Sequence, residues 1–115
     1  MPSYMFLFRA PQQVMAQPRS PERARESGER WHAWAQALDA AGHEVTGGQL
    51  EPGGRCVTGK EKTVAEGAFA AEHVVGGWFV VKAESLAEAT ELAKGCPVLE
   101  NGGTVEVRPL IHVNR

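Results

Sequence analysis

Apolar and polar positions along this chain follow two rhythms, one of period two and one of helical period. Residues 4–8, Tyr-Met-Phe-Leu-Phe, form a short apolar run rich in aromatic rings, which predicts a first strand that Arg9 ends. Pro11, Pro18 and the surrounding Gln and Ser predict a loop over 10–20. Ser20-Pro21 then offers an N-cap followed by proline at the first helical position, and Ser27 offers a later start. Trp31, Trp34, Ala35, Leu38 and Ala41 recur at helical spacing, and Gly42 supplies a left-handed stop.

Val45 to Leu50 predicts a second strand, interrupted by Gly47-Gly48. Glu51-Pro52-Gly53-Gly54 is a turn, and 55–65 reads as a small hairpin around Gly59-Lys60. Val74 to Ala83 carries the strongest strand pattern. Ser85 and Glu88 have the spacing of a capping box, with Leu86, Ala89, Leu92 and Ala93 on one apolar face behind it. Gly95 ends that helix and Pro97 prevents its resumption. Asn101-Gly102-Gly103 turns the chain into a last strand over 104–108, which either stops there or runs on to Val113. The order is strand, helix, strand with an inserted hairpin, strand, helix, strand. That is an α+β fold, a ferredoxin-like βαββαβ sandwich.

Two helices cover only one face of such a sheet, so the other face should read polar in a monomer. It does not. Tyr4, Phe6 and Phe8 point one way and Met5 and Leu7 the other; Trp78 and Val80 oppose Phe79 and Val81. Fully burying one such side chain is worth ~1.5–3 kcal/mol, so an open second face forfeits several such terms. The expectation is a homodimer through the second sheet face, two sheets packing face to face. The alternative is that loop 10–27 and hairpin 51–65 cover that face.

Bulk properties narrow the function. At 115 residues the chain is expected to form one domain over 1–115. A net charge of −2 argues against nucleic acid as a partner. Arg19, Arg23, Arg25 and Arg30 cluster, but Glu22, Glu26 and Glu29 interleave with them as on a solvated helix face. No apolar run approaches the ~20 residues of a membrane helix, and no basic region precedes residues 1–8 as in a signal peptide. No membrane association and a cytoplasmic location follow as expectations. Cys56 and Cys96 share no motif and read as free thiols.

Candidate chemistry is sparse. The chain has no Gly-x-Gly-x-x-Gly, P-loop, His-Glu-x-x-His or Gly-x-Ser-x-Gly, and its four His, at 32, 43, 73 and 112, lack ligand spacing. No cofactor and no metal are expected. His73, beside Glu72 and after Glu66, is the candidate general base, with Glu66 or Glu72 to hold its tautomer; the plainer reading is a loop His and a capping carboxylate. His32 lies one position off the Trp31–Trp34 stripe, where it reaches a cleft or faces water. Trp31, Trp34 and Trp78 are either core or the wall of a ligand cavity. His43, after Gly42, is placed to meet helix-end carbonyls. Arg9 and Arg108 either hold a substrate anion or pair with a carboxylate, Glu106 sharing the face of Arg108.

Several segments together carry a family resemblance: Glu66-Gly67-Ala68-Phe69, Gly76-Gly77-Trp78, Ala89 through Pro97, and Glu106-Val107-Arg108-Pro109. Trp34, Leu38 and Gly42 of the first helix and Gly48 and Leu50 add to it. The chain resembles the YCII-related family, in its subgroup named for an Asp-Gly-Pro-Phe motif. The resemblance implies a dimeric α+β barrel with a cavity between the sheet and its surroundings. Its wider superfamily includes muconolactone isomerases and antibiotic-biosynthesis monooxygenases, and a few YCII-like proteins look like enzymes of halogenated aromatic breakdown that use a His and an Asp. Here Glu66 and Ala68 stand for the motif's Asp and Pro, and Trp31 stands where enzymatic members have their His. Some relatives occur beside or fused to alternative sigma factors. Two functions follow as expectations. One is a small-molecule-binding protein, extending to a cofactor-independent acid/base lyase or isomerase on a small aromatic or keto acid. The alternative is a non-catalytic regulatory or interaction module, associated with a sigma factor.

Overall fold

Alternation along the first strand sets the architecture. Tyr4, Phe6, Phe8 and Ala10 are buried, while Met5, Leu7 and Arg9 between them are half-buried. The computed structural model describes residues 1–11, 20–51, 53–66 and 73–111. Its elements are β1 (Ser3–Pro11), α1 (Pro21–Ala40), β2 (Thr46–Gln49), β3 (Arg55–Thr58), β4 (Thr63–Glu66), β5 (His73–Lys82), α2 (Leu86–Ala93), a 3-10 helix (Pro97–Asn101) and β6 (Thr104–Pro109). Strands β2, β5, β1 and β6 form one sheet in that order, each pair antiparallel, and β3 and β4 form a separate hairpin. This α+β arrangement, an antiparallel sheet with two helices, is consistent with a ferredoxin-like fold.

β1 is longer than its apolar run. Arg9 does not end it, because the side chain lies on the sheet face away from the helices and meets Glu106 of β6. A bulge between Phe8 and Arg9 shifts the register, with Phe8 opposite Gly77 and Arg9 opposite Val75, so Gly76 is the extra residue. β6 stops at Pro109, with Leu110 and Ile111 outside the strand.

Helix ends follow their local chemistry. Ser20 caps α1, its hydroxyl accepting from the Arg23 amide at 3.2 Å with Pro21 behind it, so the earlier of the two starts is used. At the other end Gly42 has φ +92, the Gly42 amide donates to the Asp39 carbonyl and the His43 amide to the Leu38 carbonyl. That pair of bonds is a Schellman stop. The His43 ring turns away from the helix end and bonds the Lys82 carbonyl at 2.7 Å instead, tying α1 to the end of β5. In α2 the Ser85 hydroxyl accepts from the Glu88 amide at 3.1 Å, while the Glu88 carboxylate accepts from the Glu84 amide, one residue before the cap. Pro97 opens the 3-10 turn rather than a loop.

Both helices pack on the Tyr4–Phe6–Phe8 side. Phe6 and Val81 are fully buried there, with Leu38, Ala89 and Ala93 of the helices closing over them. No described helix covers the other face, where Met5, Leu7, Trp78 and Val80 are half-buried. Gly47 sits where β2 meets β5 so closely that an added Cβ would lie 2.1 Å from the Trp78 carbonyl oxygen. Only glycine permits that approach.

Candidate functional site

The bulge and three glycines leave the sheet bare beneath the first half of α1. Gly48 of β2 and Gly76 and Gly77 of β5 have no side chains, so the backbone itself forms part of a floor. Above it lies a cavity of 530 Å³. Its apolar wall is Phe8, Trp31, Phe79, Leu50 and Val98, and its polar atoms come from Ser27, His32, Gln49 and Asn101. α1 supplies Ala24, Ser27, Gly28, Trp31, His32 and Ala35, a stripe at helical spacing that is small except at Trp31 and His32. Volumes of roughly 300–1,000 Å³ with mostly apolar walls are typical of small-molecule sites.

An aromatic cluster holds the wall rigid. Trp31 stands edge-on to Phe8, with ring centroids 4.8 Å apart at 72°. Trp34 stacks on Phe79 at 5.3 Å and on Phe6 at 6.2 Å, so it is a supporting core residue rather than part of the lining. Such pairs each add about 0.5–1.5 kcal/mol beyond the area they bury. Arg30 pairs with Glu100, tying α1 to the 3-10 turn that ends the cavity.

The residues singled out from sequence separate into groups. Trp31 and His32 line the cavity, His32 on its exposed rim. Trp78 lies on the far face of the sheet, opposite Leu7 of β1 and Gly48 of β2, and does not share a chamber with Trp31. Arg9 and Arg108 also occupy that far face. The Arg9 Nε donates to one Glu106 oxygen at 3.1 Å and an Arg108 nitrogen donates to the other at 3.0 Å. Arg108, then Arg9, holds the Glu106 carboxyl below its usual range. The carboxylate partner is therefore present within the chain.

Glu66 ends β4 and pairs with Arg55 across the hairpin at 3.2 Å, exposed and outside the cavity lining. The backbone of His73 opens β5 opposite Pro11, one step beyond the cavity-lining Ala10. Glu72, with Gly67, Ala68 and Phe69 of the motif, lies outside the described residues. Among the described residues no three His, Cys, Asp or Glu side chains gather as a metal ion would need. No helix among the described residues is long and apolar enough to cross a membrane. Cys96 is buried and Cys56 half-buried, both free.

The family model for the YCII-related domain matches residues 3–114. The chain belongs to the YCII-related family. No curated protein matches it. Family membership agrees with the α+β sheet-and-helix arrangement and leaves the chemistry to the cavity itself.

Much of the lining was not singled out in advance. Phe8 and Phe79 stood out only as apolar strand positions, Ser27 as a helix start and Asn101 as part of a turn, and Gln49 and Val98 carried no signal of their own. The one local signal was Gly28, a glycine inside a helix with no cap or turn to make.

Proposed function

We propose that this YCII-related protein binds a small aromatic molecule in the cavity beneath α1. The observation that carries the reading is the cavity itself, walled by Phe8, Trp31 and Phe79 and edged by a few polar atoms. The rings offer stacking and edge contacts to a flat ligand, while His32, Ser27, Gln49 and Asn101 give it an orientation. A thermal-shift screen of small aromatic, keto and hydroxy compounds tests this. A ligand at 100 times its dissociation constant stabilises the fold by ~2.7 kcal/mol, and failure of every aromatic compound to shift the melt contradicts the reading.

The working unit in this proposal is a homodimer paired through the uncovered sheet face. Met5, Leu7, Trp78 and Val80 on that face support it, with Arg9, Glu106 and Arg108 as a charged patch beside them. A cytoplasmic setting belongs to the same proposal and suits two free thiols.

A cofactor-independent acid/base reaction on the bound ligand is the second reading, favoured by His32 on the cavity rim and by the entry of the His73 backbone into β5 opposite Pro11, the neighbour of cavity-lining Ala10. Turnover of any bound compound that survives both His32→Ala and His73→Ala removes it. The interaction-module reading rests instead on the hairpin, whose Val57 and Val64 face each other at 65% and 58% exposure and pair with nothing in the main sheet. Capture of a sigma factor that is lost with Val57→Asp would favour it.

A further inference from the structure

The described lining of the cavity carries no formally charged side chain. Of its described lining residues only His32 is titratable, and none is Lys, Arg, Asp or Glu. Three cations of the neighbouring elements are already engaged. Arg30 is paired with Glu100, and Arg9 and Arg108 both bond Glu106 on the opposite face of the sheet. A carboxylate or phosphate entering this chamber would leave water for an apolar wall without a fixed counter-charge, which is costly. A flat, neutral ring meets Trp31, Phe8 and Phe79 without that penalty.

Gly28 points the same way. It lies inside α1, and nothing comes within 4 Å of where its Cβ would be. Its backbone is helical and needs no glycine, its packing needs none, and glycine is among the least favourable residues in a helix interior. Gly28 is one turn before Trp31 and His32 on the cavity-facing stripe, so any side chain there would enter the chamber beside the Trp31 ring.

We infer that the cavity selects an uncharged planar aromatic ligand and that Gly28 keeps the space beside Trp31 open for it. This rests on the cavity being a ligand site. Recognition runs through ring contacts on three aromatic walls, with the polar rim hydrogen-bonding a hydroxyl or carbonyl at the edge of the ring.

A matched pair of probes separates the claims: 2-naphthalenemethanol, which is neutral, and 2-naphthalenecarboxylate, which has the same ring and a charge. Calorimetric titration into the full chain is expected to show the alcohol binding at least about tenfold more tightly. Gly28→Leu should abolish binding of the alcohol, and Gly28→Ala should weaken it while raising the melting temperature, which shows that the helix is intact. Equal or tighter binding of the carboxylate overturns the charge selection while leaving the site in place. Unchanged affinity in Gly28→Leu overturns the role of Gly28. Binding of neither probe to the unmodified chain overturns this inference, and a positive thermal-shift hit on another aromatic compound would then show that the site reading survives without it.

Discussion

The indole of Trp31 meets the ring of Phe8 edge-on, with centroids 4.8 Å apart, so that one side chain both closes the core and walls the cavity. Phe8 presents its own ring to Trp34 and Phe79 as well, at 5.9 and 5.1 Å. Removal of Trp31 therefore has two effects. Trp31→Ala should destabilise the fold by about 2 kcal/mol, less than a fully buried Trp because the ring is half-exposed, and should eliminate aromatic ligand binding. Trp31→Phe keeps an aromatic wall and should cost less of both. Chemical denaturation and ligand titration on the two variants check this; full binding by the stable Trp31→Ala protein would contradict it.

The second sheet face makes a separate prediction. Leu7 and Trp78 are cross-strand partners there, with Glu106 on the other side of Leu7. Light scattering should give the mass of two chains for the unmodified protein. Leu7→Asp and Trp78→Glu each place a charge at the centre of the proposed contact and should give monomers that retain the helical and sheet signal. A monomer before any substitution refutes the pairing.

Glu106 holds two guanidinium groups on that same face. Glu106→Gln leaves Arg9 and Arg108 as two neighbouring positive charges without their carboxylate. The expected outcome is a weaker dimer, recovered in part by high salt, with little change in cavity binding. Loss of cavity binding with an unchanged dimer would instead connect this triad to the ligand, as an anion-holding role for Arg9 and Arg108 requires.

Burial pushes the Cys96 thiol up from 9.0 to about 12, with a smaller opposing pull from its backbone hydrogen bond to Val98. The folded state thus retains this proton where the unfolded chain releases it. The contribution to stability is complete below about pH 9 and is lost progressively as pH rises from there toward about 12. Urea midpoints measured across that range should fall more steeply for the unmodified chain than for Cys96→Ala. At pH 8 a disulfide reagent should label Cys56 in the folded protein and Cys96 only after unfolding.

Local chemistry made the frame legible. Ser20 before Pro21, Gly42 after Ala41 and Ser85 ahead of Glu88 mark helix ends by hydrogen bonds that span a few residues, and the structure uses each of them. Alternation in β1 likewise identified Tyr4, Phe6 and Phe8 as one face. The site was less legible because it is assembled across the sheet. Arg9 meets Glu106 only because β6 lies next to β1, and spacing along one strand reveals only the Glu106–Arg108 half of that triad. Trp31 and Trp78 look alike as aromatic candidates until the register places Phe79, not Trp78, on the helix side. The floor of bare backbone depends on a bulge that puts Gly76 and Gly77 beneath α1, and that bulge exists only in the pairing of β5 with β1, which no short window of sequence contains.

The central claim is that an aromatic ligand occupies the chamber walled by Trp31. Indole N–H resonances report it directly, since the chain has three Trp residues in distinct settings: Trp31 in the wall, Trp34 behind it and Trp78 across the sheet. With the resonances assigned by Trp→Phe variants, titration with 2-naphthalenemethanol should shift Trp31 most, Trp34 less and leave Trp78 in place. A saturable shift at Trp78 with Trp31 unmoved would put the ligand on the other face of the sheet and contradict the account.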